Sequence, residues 1–199
     1  MRKGQITKES IIRESAVLFN TKGYNGASLS DIMEKCGIRK GGIYNHFGNK
    51  DEIAIAAFDY SFSQIVKFLS DELGNASNAR EKLLAVCQVY IDLIEKDTIA
   101  GGCPLLNTAV DSDDGHPALK ERAQQAMGYF LDALNKIILE GVDRQELRKD
   151  ISVEEASTSI VALIEGGVML SKLFGDSKYI RSCVNHVMQF VEDRLTVKP

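Results

Sequence analysis

The chain predicts an all-α protein: an N-terminal three-helix head with a helix-turn-helix, then a longer helical body, about nine helices in all. Three observations lead there. Apolar residues recur at helical spacing almost throughout, and no run alternates with the period of two that marks a half-buried strand. Capping residues and glycines fall where helices would start and stop. The charge is divided along the chain: residues 1–50 hold nine Lys and Arg against four acids (9 − 4 = +5), and residues 51–199 hold fifteen against twenty-four (15 − 24 = −9). A basic head on an acidic body suits a polyanion-binding module joined to a part that does not itself hold a polyanion. With 199 residues, 44% of them hydrophobic, the chain can bury a real core and is not a disordered or fibrous sequence.

Taken in order, Thr7 can cap a first helix whose apolar side is Ile11, Ile12, Ser15, Ala16 and Phe19, closed by Gly23 as a left-handed cap. Ser28 with Asp31 forms a capping-box pattern for a second helix that buries Leu29, Ile32 and Met33 and stops at Gly37. The third, from about Lys40 to Phe47, is too short to persist alone in water, so Ile43 and Phe47 must anchor it on the first two. A fourth runs from near Asn49 through Phe58, Phe62, Ile65, Phe68 and Leu69 to Gly74, bridging head and body without a flexible linker. Asn78 with Glu81 opens a fifth through Leu84, Tyr90 and Ile94 to Gly101-Gly102, and Pro104 opens a short sixth. Asp111 to Gly115 reads as a solvated loop, Pro117 begins a long seventh helix to about Gly141, Ser152 with Glu155 begins an eighth to Gly175, and a ninth ends the chain. The domain division falls at 1–48 for the head and 49–199 for the body.

Several function classes are set aside by what is missing. The amino terminus, Met-Arg-Lys-Gly-Gln, leads into an amphipathic segment and not an apolar run, so no signal peptide is expected. No window of about 18 residues is free of charge, which argues against a membrane span, and a cytoplasmic protein with no membrane partner is expected. Cys36, Cys87, Cys103 and Cys183 lie far apart with no C-x-x-C spacing, and His116 and His186 are isolated, so neither a metal nor a cofactor is expected. The run from Asp111 fails as a calcium loop because Gly115 and Glu121 each fall one place short of the positions an EF-hand needs. No nucleophile with its base, H-E-x-x-H or phosphate loop is present, so no enzyme is expected.

The segment Asp31 to Ile53, with Cys36-Gly37-Ile38-Arg39-Lys40-Gly41-Gly42-Ile43-Tyr44-Asn45-His46-Phe47 at its centre and Lys50 beyond, resembles the DNA-binding signature of the TetR family of bacterial transcriptional regulators. The resemblance implies a homodimer that occupies a double-stranded operator and leaves it when a small-molecule inducer enters the body. In a helix-turn-helix the second helix enters the major groove, which places Arg39 and Lys40 in its first turn against phosphate or a guanine edge. Tyr44 and His46 resemble the family's phosphate contacts. Lys50 brings a cation to a helix start that already favours anions, and Thr7 and Ser28 do the same at their own helix starts. Asn45 either reads adenine or faces solvent. Two positions depart from the pattern: Arg39 replaces the usual small hydroxyl cap, and Gly42 replaces the usual Thr, so that Gly41-Gly42 loosens the helix while letting backbone approach DNA.

For the body, Phe62, Tyr90, Leu106, Met127, Phe130 and Met169 either line a ligand cavity or are plain core, and Asn107 and Glu165 are the polar candidates beside them. Cys103, just before Pro104, sits near a helix start that can activate a thiol; the alternative function is therefore a ligand-binding or thiol-based redox or electrophile sensor acting through protein contacts without specific DNA binding. Ile160, Leu163 and Gly167 on the eighth helix, with Val184, Val187, Met188 and Val191 on the ninth, form stripes expected to make a four-helix dimer interface, Gly166-Gly167 allowing a partner helix to cross closely.

Overall fold

A computed structural model describes residues 3–113 and 115–197. Asp114 of the expected acidic loop and the first residues of the amino terminus lie outside the described residues. The elements are α1 (Lys3–Gly26), α2 (Leu29–Cys36), α3 (Lys40–Tyr44), α4 (Lys50–Leu73), α5 (Ala79–Glu95), α6 (Pro104–Ser112), α7 (Pro117–Asp143), α8 (Val153–Phe174) and α9 (Lys178–Phe190), the last running into one π-helical turn at Val191–Leu195. An isolated antiparallel bridge joins Leu147 to Thr196.

The chain forms two compact units that do not follow the division expected at residue 48: Met1–Gln64 joins Ile99–Ala126, and Ile65–Thr98 joins Met127–Pro199. In the first unit, Ile11, Leu18, Ala27, Ile32, Ile43, Phe47 and Ile53 make a core shared by α1 to α4. Burial of Ile43 and Phe47 there is what holds α3, a helix of five residues, as the sequence requires. α6 packs on α1 in the same unit. The Asn20 amide donates to the carbonyls of Ala100 and Gly102 at 2.7 and 2.9 Å, and the Asn107 amide donates to Asn20 Oδ1 at 2.9 Å and to the Gly101 carbonyl at 2.8 Å.

Several boundaries differ from expectation. α1 begins at Lys3, so Thr7 lies inside the helix and is not its cap. Gly23 has φ 74° and ψ 170°, which is not the left-handed helical cap but an extended positive-φ conformation open essentially to glycine alone. α3 stops at Tyr44 because the His46 and Phe47 amides both turn back to the Ile43 carbonyl, at 2.9 and 3.1 Å. α5 ends at Glu95, short of Gly101-Gly102. α6 extends to Ser112, which makes Asp111 helical and not part of a loop.

In the second unit α5, α8 and α9 pack on one another. Leu83, Leu93, Leu134, Ile138, Leu147, Ile160, Ile164, Ile180 and Val187 are essentially inaccessible to solvent. α7 runs on to Asp143, and a Cβ at Gly141 would lie 2.5 Å from Ala79 Cβ, so this glycine allows a close approach and is not the stop. Gly167 serves the same end. A Cβ on it would lie 2.9 Å from Ile180 Cδ1 and 3.0 Å from Cys183 Cβ, so the helix that crosses closely is the chain's own α9 and not a partner's. By length and composition alone α8 is long and apolar enough to cross a membrane, though it carries Glu165 and Lys172; its buried face, Ile160, Ile164 and Val168, packs inside this unit.

Candidate nucleic-acid interface

α2 starts at Ser28, whose hydroxyl accepts the Asp31 amide at 3.1 Å while the Asp31 carboxylate accepts the Ser28 amide at 2.8 Å. Lys22 adds an ion pair at 2.8 Å, and its hydrogen bond, followed by those from Ser28, holds the Asp31 carboxyl well below the usual carboxylate range. Gly37, at φ 65° and ψ 28°, closes α2 in the left-handed conformation, its amide bonded to the Glu34 carbonyl and the Ile38 amide to that of Met33. The chain then turns directly into α3. Ser28 thus uses its hydroxyl within the head, donating to Asp31 as well.

α3 has no side-chain cap at Arg39, as its sequence implies. At 100° per residue Gly41 lies about 200° round the helix from buried Ile43, so it points away from the core. Arg39, Lys40, Gly41, Tyr44 and Asn45 are all exposed, with Gly42 and His46 half-buried. A Cβ at Gly41 would meet nothing within 4 Å. The Lys40 ammonium stands 5.7 Å from the centre of the Tyr44 ring, and Lys8, which the sequence did not single out, stands 5.3 Å from that of Phe47. A two-turn surface of cations, a phenol and an amide, backed by an apolar anchor, is suited to phosphate and base-edge contact.

Lys50 begins α4, as expected, and its side chain is half-buried. Its ammonium donates to the Tyr24 carbonyl at 2.6 Å and lies 4.1 Å from the centre of the Tyr24 ring, and burial pulls its pKa down. Tyr24 is the hub of the sites that sequence reasoning missed. Its amide donates to Asp111 of α6 at 2.6 Å, and its hydroxyl donates to Asp51. Its ring meets the edge of His116 at 4.4 Å. Burial first, then the Asp51 carboxylate, push the Tyr24 phenol up to about 12, and the same hydrogen bond holds Asp51 below its ordinary value. His116 Nδ1 accepts the Leu119 amide at 3.1 Å, capping α7, while Nε2 faces Asp51 at 3.4 Å. Neither Asp111 nor His116 carries a sequence signal for these roles, because each meets Tyr24 only through folding.

Residues 11–57 match the model of the bacterial regulatory proteins of the tetR family, and residues 79–187, more than half of the chain, match that of the tetracyclin repressor-like C-terminal domain. The chain belongs to the TetR family. A crystal structure of a TetR transcriptional regulator from Chloroflexus aurantiacus is 32% identical, with the whole of both chains covered and a TM-score of 0.96. The fatty acid metabolism regulator protein of Bacillus subtilis is 24% identical over 85% of this chain and 84% of its own. The HTH-type transcriptional repressor DhaR of a Mycobacterium species is 22% identical over 83% and 82%. As a member of this family the chain is a DNA-binding transcriptional regulator, and α2 and α3 are its helix-turn-helix.

The TetR-family body residues divide between the two units. In the first, Cys103 is fully buried, with its sulfur accepting the Leu106 amide at 3.5 Å as the cap of α6, and Asn107 is tied to Asn20. Phe62 and Leu106 are half-buried, Phe62 stacking on Phe58 at 6.1 Å. In the second, Tyr90 and Phe130 are buried with ring centres 5.9 Å apart, Glu165 is buried, and Met127 is half-buried. Met169 is 51% exposed, so it does not line an interior cavity. A groove of about 600 Å³ beside α5 and α9 touches none of these nine residues.

The expected dimer set is also corrected. Ile160, Gly167, Val184, Val187 and Val191 are buried in the unit's own core, which removes them from contact with a second chain. Leu163 and Met188 are half-buried. α8 instead leaves Ala162, Met169, Leu173 and Phe174 in solvent.

Proposed function

We propose that this TetR-family regulator is a repressor that binds an inverted-repeat operator as a homodimer and is released by a small-molecule inducer. The observation that supports it best is the outward face of α3, where Arg39, Lys40, Tyr44 and Asn45 stand exposed while Ile43 and Phe47 fix the helix from behind. A single head of this size gives limited affinity, whereas two heads about 34 to 36 Å apart read successive major grooves. On α8, Ala162, Gly166, Met169 and Leu173 share one face at helical spacing, and a Cβ at Gly166 would meet nothing within 4 Å, leaving room for the same helix of a second copy. Its place of action is the cytoplasm, beside its DNA, and its work is binding, not catalysis. The inducer is read by Tyr90, Met127, Phe130 and Glu165.

Binding of duplex DNA over a salt series tests the reading. Lys50→Ala weakens binding to all sequences and flattens the salt slope by about 0.9, one released counterion. Lys40→Ala also relaxes base preference. Unchanged affinity and slope for both would remove the assigned interface. For release, an inducer must bind the DNA-free state better than the operator complex; equal affinity for the two states rules induction out.

A further inference from the structure

Asp111 lies on α6, outside the segment that matches the family's DNA-binding model. Its carboxylate nonetheless accepts the Tyr24 amide at 2.6 Å. The Gly23 conformation, φ 74° and ψ 170°, leaves room for this contact: a Cβ on Gly23 would lie 3.0 Å from Asp111 Oδ1. On the other side of the same residue, the Tyr24 carbonyl accepts the Lys50 ammonium at 2.6 Å, and the Tyr24 ring lies under that ammonium at 4.1 Å. An ammonium has three donors, so one bond to a carbonyl leaves two for a phosphate, in the field of the Asp51, Asp111 and Asp31 carboxylates that also act on it. A lysine held in this way has already lost much of the rotamer freedom it would otherwise lose on binding.

We infer that Asp111 and Tyr24 are positioning residues for DNA binding: Asp111 fixes the Tyr24 backbone through its amide, and the Tyr24 carbonyl, in the next peptide, and ring hold the Lys50 ammonium where its remaining donors meet a backbone phosphate. This rests on the reading of Lys50 as a phosphate contact. It makes α6 part of the DNA-reading assembly, since a shift of Asp111 frees the Tyr24 backbone and with it the lysine.

The sign of the effect separates this role from simple charge. Removing an acid near a polyanion-binding face strengthens DNA binding by electrostatics alone. Positioning predicts the reverse for Asp111→Ala: about fivefold to tenfold weaker binding and a salt slope flatter by about 0.9. Asp111→Asn keeps an acceptor for the Tyr24 amide while losing the charge, so it restores binding to the wild-type level or above. In a Lys50→Ala background Asp111→Ala has no further effect on the slope. The measurement is affinity against salt for the full-length protein on one duplex, with melting temperatures confirming that each variant is folded. If Asp111→Ala and Asp111→Asn both bind more tightly than wild type, Asp111 acts as a charge only and the positioning role is overturned. If Asp111→Ala weakens binding equally in the Lys50→Ala background, its route through Lys50 is overturned. Failure of the wild-type protein to bind any duplex would strike the underlying reading instead.

Discussion

Ser15 shows how a single side chain sets a testable stability. It is fully buried on α1 and its hydroxyl has no hydrogen-bond partner among the described residues. A buried hydroxyl left unsatisfied costs about 1 to 3 kcal/mol, and Ala is also the better helix former. Ser15→Ala is expected to raise the melting temperature by about 2 to 4 °C for each kcal/mol recovered in a chain of this size, read by calorimetry. Tyr24 supplies the pH dependence. Its phenol is raised from 10.0 to about 12, so the contribution it makes is fully present below pH 10 and is lost as pH rises through about 12. A spectrophotometric titration should show one tyrosine ionising near 12 that disappears in Tyr24→Phe, and that variant should lose the corresponding part of the alkaline destabilisation. A late-titrating signal whose amplitude is unchanged by the substitution would contradict the hub described around Tyr24. At this scale the sequence was legible where the chemistry is local. The Ser28 and Asp31 capping box, the left-handed Gly37 and the missing cap at Arg39 all follow from neighbours in the chain. Asp111 and His116 were not legible, because their partners are far away in sequence.

At the scale of elements, periodicity located the nine α-helices found among the described residues but not what their faces meet. An apolar stripe on α8 or α9 shows that a side is buried; it does not show whether the chain itself or a second copy covers it. The close crossing at Gly167 is made by α9 of the same chain, and most of the residues read as a dimer seam are core, Leu163 and Met188 being half-buried. The exposed face that remains leads to a clean test. Leu173 is 71% exposed, so Leu173→Asp removes little packing within the chain. If α8 carries the homodimer contact, that variant sediments as a monomer with an unchanged helical spectrum; a dimer that persists assigns association to another surface. Helix ends were the least legible feature. α3 stops short because its last turn is closed by two amides sharing one carbonyl, and α7 runs through a glycine that allows Ala79 a close approach.

Over the whole molecule, the basic head and acidic body visible in composition correspond to a helix-turn-helix followed by a divergent helical domain, yet the compact units are not simple sequence segments. α6 joins the first unit through Asn20, Asn107 and Asp111. The thiols bear on which class of signal the protein answers. Cys103 is fully buried, and burial pushes the Cys87 thiol up to about 12. Both should resist a bulky thiol reagent until denaturant is added, while operator binding continues unchanged. Fast labelling of Cys103 with loss of DNA binding would favour the thiol-sensor alternative.

Whether the protein reads duplex DNA as a dimer is decided by selecting a random duplex pool with the purified full-length protein at near-physiological salt and sequencing what is retained. An enriched inverted repeat, its half-sites centred about one helical turn or a multiple of it apart, is the predicted result. A pool that stays random, with the protein shown to be folded and dimeric, would contradict it.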